Sequence, residues 1–138
     1  MAATDITGKF QLTSSQNFDD YLKAANVSFV YRKLATTVES ATVEIIKTGG
    51  DEYTMKTVTA VKSHELKFKL NQEFTEQTMD GRALQTTMKL EGNKLIQTQK
   101  DAKTNTDSII EREFMKDEMV TTLKCKGAVS VRKYKRIS

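Results

Sequence analysis

A chain of 138 residues has the length of one domain, expected to span 1–138, and it holds no run of roughly 18 apolar residues that would cross a membrane as a helix. Its net charge of +4 comes from 22 basic and 18 acidic side chains dispersed along the chain, with no basic and aromatic stripe for nucleic acid. One cysteine, Cys125, and one histidine, His64, exclude an internal disulfide and a metal-ligand cluster, so neither a metal nor a cofactor is expected.

From the N-terminus, MAATDITGKF lacks the basic start and apolar stretch of a secretion signal, and the expected compartment is the cytoplasm. Gly8 to Leu12 reads as a first strand. In NFDDYLKAANV, Phe18, Tyr21, Leu22 and Ala25 recur at helical spacing. Ser14, Ser15 or Asn17 is available as N-cap, and Asp19 and Asp20 suit the positive end of the helix dipole. Asn26 then accepts the left-handed backbone of a helix stop. SFVYRKLATTVE offers Ser28 as a cap and Val30, Tyr31, Leu34, Ala35 and Val38 as a second apolar face. Residues 16–38 are therefore expected to form a helix-turn-helix.

From Ala41 the period falls to two, and turn signals recur at Gly49-Gly50, Asp80-Gly81, Glu91-Gly92-Asn93, Asp101 to Asp107, Lys116-Asp117 and Lys126-Gly127. Roughly ten strands in successive hairpins are best closed as an up-and-down barrel, with the helices over one end. The absence of proline suits a chain of paired strands, where proline removes a ladder donor.

Alternation assigns the faces. Ile110, Arg112 and Phe114 share one face of their strand, and so do Met119, Thr121, Leu123 and Cys125, and Ser130, Arg132 and Tyr134. Leu66, Phe68 and Leu70 oppose Lys67 and Lys69. An inner face that mixes arginine, threonine, serine and tyrosine with apolar groups suits a hydrated ligand cavity better than a dry core. Arg112 and Arg132 are separated by one strand, and buried guanidinium groups cost several kcal/mol unless paired. No acidic residue shares those predicted faces, so a ligand carboxylate or ordered water is the expected complement, with Tyr134 as a further donor. Alternation alone leaves open that each arginine faces solvent. His64 lies beside Ser63 and Glu65, whose side chains point to the opposite face, so no catalytic triad forms and no enzyme activity is expected.

The motifs GKF, NFDDYLKAANV with SFVYRKLA, KSHELKFKLNQEFTEQTMDGR, EGNKLIQTQK, REF followed by DEMVTTL, and SVRKYKR together resemble the cytosolic fatty-acid-binding proteins over nearly the whole chain. The REF stretch and the ending look most like invertebrate members. The resemblance implies a mainly β fold: a ten-stranded antiparallel up-and-down β-barrel, the clam form of the lipocalin-like (calycin) architecture, under a helix-turn-helix lid. It implies a monomer that binds a long-chain fatty acid non-covalently and transports it within the cell. The carboxylate-binding set of the family matches Arg112, Arg132 and Tyr134. Phe18, Tyr21, Val27, Tyr31, Leu34, Met55, Val61, Phe68, Thr121 and Leu123 are expected along the tail, and Lys23, Arg32 and Lys33 are expected to meet anionic membranes. Retinoic-acid carriage, which some relatives perform with a similar residue set, and a membrane-associated interaction role remain alternatives. The chain departs from the family pattern by lacking proline near Glu39-Ser40-Ala41, by Asn26 and Val61 in place of glycine and phenylalanine, and by a longer segment from Lys100 to Ser108, expected as an extended polar hairpin loop.

Overall fold

A computed structural model describes residues 5–37, 40–60 and 62–138, with Val61 and Val38 outside the described residues. Ten strands form one antiparallel sheet: β1 (Gly8–Gln16), β2 (Ala41–Lys47), β3 (Glu52–Thr59), β4 (Ser63–Lys69), β5 (Phe74–Gln77), β6 (Ala83–Glu91), β7 (Lys94–Asp101), β8 (Thr106–Phe114), β9 (Glu118–Cys125) and β10 (Ala128–Arg136). Helices α1 (Phe18–Ala24) and α2 (Phe29–Thr37) lie between β1 and β2. The strand order β4-β3-β2-β1-β10-β9-β8-β7-β6-β5 joins the first strand to the last. The ladder stops between β4 and β5, where β5 is only four residues long, so the barrel is nearly rather than fully closed.

Residues that tolerate a left-handed backbone make the turns. Asn17, Asn26, Asn71, Asn105 and Lys126 all have positive φ, and the β9–β10 hairpin pairs Lys126 (φ 47°) with Gly127 (φ 84°). The segment from Lys100 to Ser108 forms the expected hairpin, with Lys100 paired to Asp107 and Asp101 to Thr106. Two expectations change in detail. β1 continues to Gln16, so Ser14 and Ser15 belong to the strand, and Asn17 caps α1 from a left-handed conformation without a side-chain hydrogen bond. On α2, Tyr31 and Ala35 turn inward while Val30 is 77% exposed and Leu34 42% exposed, so only part of its apolar face is covered.

The barrel is filled at its closed end and more open beneath the lid. Ile6, Phe10, Val43, Ile45, Tyr53, Met55, Phe68, Met88, Leu95, Phe114, Met119 and Tyr134 form one buried cluster, with Phe10 edge-on to Phe114 at 5.7 Å. A second cluster fastens the lid: Tyr21, Leu22, Ala25 and Val27 pack on Ile110, Leu123 and Cys125. Each such large apolar side chain contributes about 1.5–3 kcal/mol by leaving water. Polar ties reinforce this anchor. Arg82 donates to the Ala25 carbonyl at 3.0 Å and to Asp80 at 2.6 Å, and the Asn26 amide donates to Thr106 Oγ1 at 3.0 Å. Burial opposes the charge on Asp80, yet hydrogen bonds from Arg82 and Thr78 hold its carboxyl below the ordinary range. Ser28 Oγ accepts from the Tyr31 amide as the expected cap of α2. The first helix is thus bolted to the barrel, whereas α2 leaves Phe29 67% exposed and meets the far rim through Lys62, whose ammonium approaches the Tyr31 ring and the Met79 carbonyl.

Candidate functional site

The two inward arginines share one cross-strand row. Arg112 pairs with Thr121, and Thr121 pairs with Arg132, so the three side chains stand on the same face of β8, β9 and β10. Two strand spacings set the outer pair about 10 Å apart at the backbone, and their heads turn to different neighbours, Arg112 to Gln97 and Arg132 to the Phe18 ring. Tyr134 lies two residues beyond Arg132 on the same face and is buried.

The arginines differ in how their charge is met. Arg112 Nη1 donates to Gln97 Oε1 at 2.8 Å, and Gln97 Nε2 donates to Glu76 Oε1 at 2.8 Å. Thr86 Oγ1 and Gln99 Nε2 donate to the same carboxylate oxygen at 2.8 and 3.0 Å. Glu76 is thereby the internal counter-charge of Arg112, relayed through an amide. Burial draws the Arg112 pKa below its ordinary value, against opposing influences of Tyr134, Glu76 and Tyr21.

Among the described residues no carboxylate pairs with Arg132. Its guanidinium carbon lies 3.9 Å from the Phe18 ring centroid, and its Nε is buried without a hydrogen-bond acceptor. Thr121 Oγ1, the next group in the row, is also buried without a partner. A cation–π contact offsets part of the desolvation of Arg132 but satisfies no N–H. Two unpaired donors therefore sit side by side, one of them on a fixed positive charge, and that arrangement favours an anionic acceptor with two lone-pair-bearing oxygens.

Sequence reasoning missed Glu76, Gln97, Gln99 and Thr86. The available signal was the alternation of Leu95, Gln97 and Gln99, all buried, against Ile96 and Thr98 on the other face. It is weak because the apolar isoleucine stands on the outer face.

The remaining expected residues fall in different parts of the fold. Phe18, Tyr31 and Leu34 line a void of about 80 Å³ under the lid, together with Thr57, Arg132 and Tyr134. Thr121 lies in the arginine row. Tyr21, Val27 and Leu123 belong to the lid anchor, with the Tyr21 hydroxyl hydrogen-bonded to Ser108 and its pKa raised chiefly by burial. Met55 and Phe68 are part of the lower packed cluster, where Phe68 stacks on Tyr53 at 5.8 Å. Val61 is outside the described residues. Lys23 and Lys33 are exposed on the lid, but Arg32 turns to Asp19 at 3.4 Å and to the Phe29 ring at 5.6 Å.

Known proteins share this architecture. Residues 7–137 match the model of the Lipocalin / cytosolic fatty-acid binding protein family. A fatty acid-binding protein of Tyrophagus putrescentiae is 46% identical, over 95% of this chain and 97% of its own. Sodium/calcium exchanger regulatory protein 1 of Doryteuthis pealeii is 43% identical, over 98% of each chain. The Schistosoma mansoni fatty acid binding protein, solved with arachidonic acid, superposes with a TM-score of 0.87 at 35% identity, over 96% of each chain. The ten-stranded barrel, its helical lid and these likenesses make the chain a member of the lipocalin and cytosolic fatty-acid-binding protein family.

Proposed function

We propose that this protein binds a long-chain fatty acid non-covalently inside the barrel and carries it between membranes in the cytoplasm. The observation that carries this reading is the inward row Arg112–Thr121–Arg132, in which the buried atoms Arg132 Nε and Thr121 Oγ1 lack partners. A carboxylate there accepts from both and neutralises a guanidinium that cannot shed its own proton. Tyr134 joins as a third donor, and Arg112, already engaged with Gln97, acts directly or through water. The tail supplies most of the gross affinity, at about 0.8 kcal/mol per methylene taken from water.

A void of about 80 Å³ holds a few waters. An extended acyl chain needs more room, so loading displaces Tyr31 and Leu34 outward with α2, the less anchored half of the lid. Exposed Phe29 and Val30 on that helix, beside Lys33, and Lys23 on α1, meet an anionic bilayer during exchange. Transfer of a fluorescent fatty acid to vesicles is then expected to quicken as anionic lipid is added and to slow as salt is raised. Rates indifferent to both would remove the membrane contact.

Native mass spectrometry of protein purified from its own source, followed by lipid extraction, tests the main reading. One fatty acid recovered per chain is the expected result, and a retinoid in its place would reassign the ligand. Similarity to the exchanger regulatory protein favours a second reading, a membrane-associated interaction role with lipid secondary. Recovery of no lipid would move weight to it.

A further inference from the structure

His64 has no role in the carboxylate row, yet its position calls for one. It opens the inner face of β4, where His64, Leu66 and Phe68 alternate with exposed Ser63, Glu65 and Lys67. The register sets it opposite Thr57, and Thr57 lines the same void as Arg132, Tyr134 and Tyr31. The imidazole is half-buried, and its Nε2 is shut off from water without a hydrogen-bond partner. A buried ring nitrogen in that state is costly, and an aliphatic side chain beside Leu66 and Phe68 would not carry that cost. His64 itself is not in the lining of that void, but the terminal torsion of histidine is broad, which lets the ring turn beside Thr57.

We infer that His64 is a second polar contact in the cavity and selects acyl chains bearing an oxygen function along the chain, such as a hydroxyl. The inference rests on the lipid-binding reading above and adds a preference within it. The arginine row takes the carboxylate, and the imidazole on the β3–β4 wall donates to, or accepts from, a hydroxyl further along the tail. A plain chain passes the same wall and leaves the nitrogen unpaired.

Delipidated protein is titrated with stearate and with mid-chain hydroxystearates, and the same is done for His64→Leu and His64→Gln. The expected result is roughly fivefold tighter binding of at least one hydroxystearate, relative to stearate, than in His64→Leu, the size of one hydrogen bond, with part of the preference kept by His64→Gln. Because His64 is the single histidine, its ring nitrogen signals need no assignment, and they provide a readout on the unmodified protein. Hydroxystearate is expected to shift them well beyond the effect of stearate. Equal ratios in all three proteins, or equal ring shifts with both ligands, would overturn the inference while leaving fatty-acid binding intact. Failure of the unmodified protein to bind either lipid would overturn both.

Discussion

Arg132→Ala is expected to weaken oleate binding by about 10- to 100-fold, the worth of a hydrogen-bonded charge on a buried carboxylate. The fold should survive. Among the described residues Arg132 has no carboxylate partner and its buried Nε has no acceptor, so its removal breaks no ion pair and relieves one unsatisfied buried donor, at the loss of the contact with the Phe18 ring. The delipidated variant should therefore melt at or above the temperature of the parent while its affinity falls. Arg112→Ala makes a less clean test, because it strands the Gln97 amide oxygen and leaves Glu76 without its relayed counter-charge. Calorimetric titration with oleate and a thermal melt of the same sample check both halves. Unchanged affinity in the Arg132 variant would remove the headgroup role assigned to it.

Glu76→Ala is expected to be among the most destabilising single changes, at about 3–5 kcal/mol, because it removes one partner of a buried charged network. One carboxylate oxygen accepts from Thr86, Gln97 and Gln99, and through Gln97 it balances Arg112. Alanine leaves those donors unpaired inside the barrel and Arg112 without its relayed anion. Glu76→Gln keeps an accepting oxygen but loses the charge, so its cost should fall between the parent and alanine. Urea unfolding of the three proteins measures the series. A loss below about 1 kcal/mol for alanine would show that water replaces the carboxylate and that the network has little structural weight.

The alternation of β8, β9 and β10 put the arginines on faces shared with apolar residues before any coordinates, but left open whether those faces point inward; the resemblance to the family supplied that. Alternation grouped Arg112, Thr121, Arg132 and Tyr134 by face, and the resemblance singled out the two arginines and the tyrosine. Glu76 came from neither, because β5 is four residues long, too short to display alternation, and its partners reach it from β6 and β7 across distances in sequence that no local pattern encodes. The lid helices were legible from their 3.6 period, but which part of α2 faces inward was not. Val30 belongs to the apolar stripe by spacing and yet stands exposed, because the lid covers an opening, and among the described residues of the stripe Tyr31 and Ala35 are the partly buried ones. The β7–β8 hairpin was legible from its polar composition, and the pairing of Asp101 with Thr106 shows how far its strands run. The interruption between β4 and β5 follows from strand lengths in three dimensions and left no trace in composition.

The most direct measurement compares oleate with oleyl alcohol on the delipidated protein, two ligands with the same tail and different heads. The account predicts that oleate binds at least about tenfold tighter, since the alcohol leaves a buried cation without an anion. Equal affinity for the two would contradict it, and the unpaired donors of the arginine row would then have nothing to do with the choice of ligand.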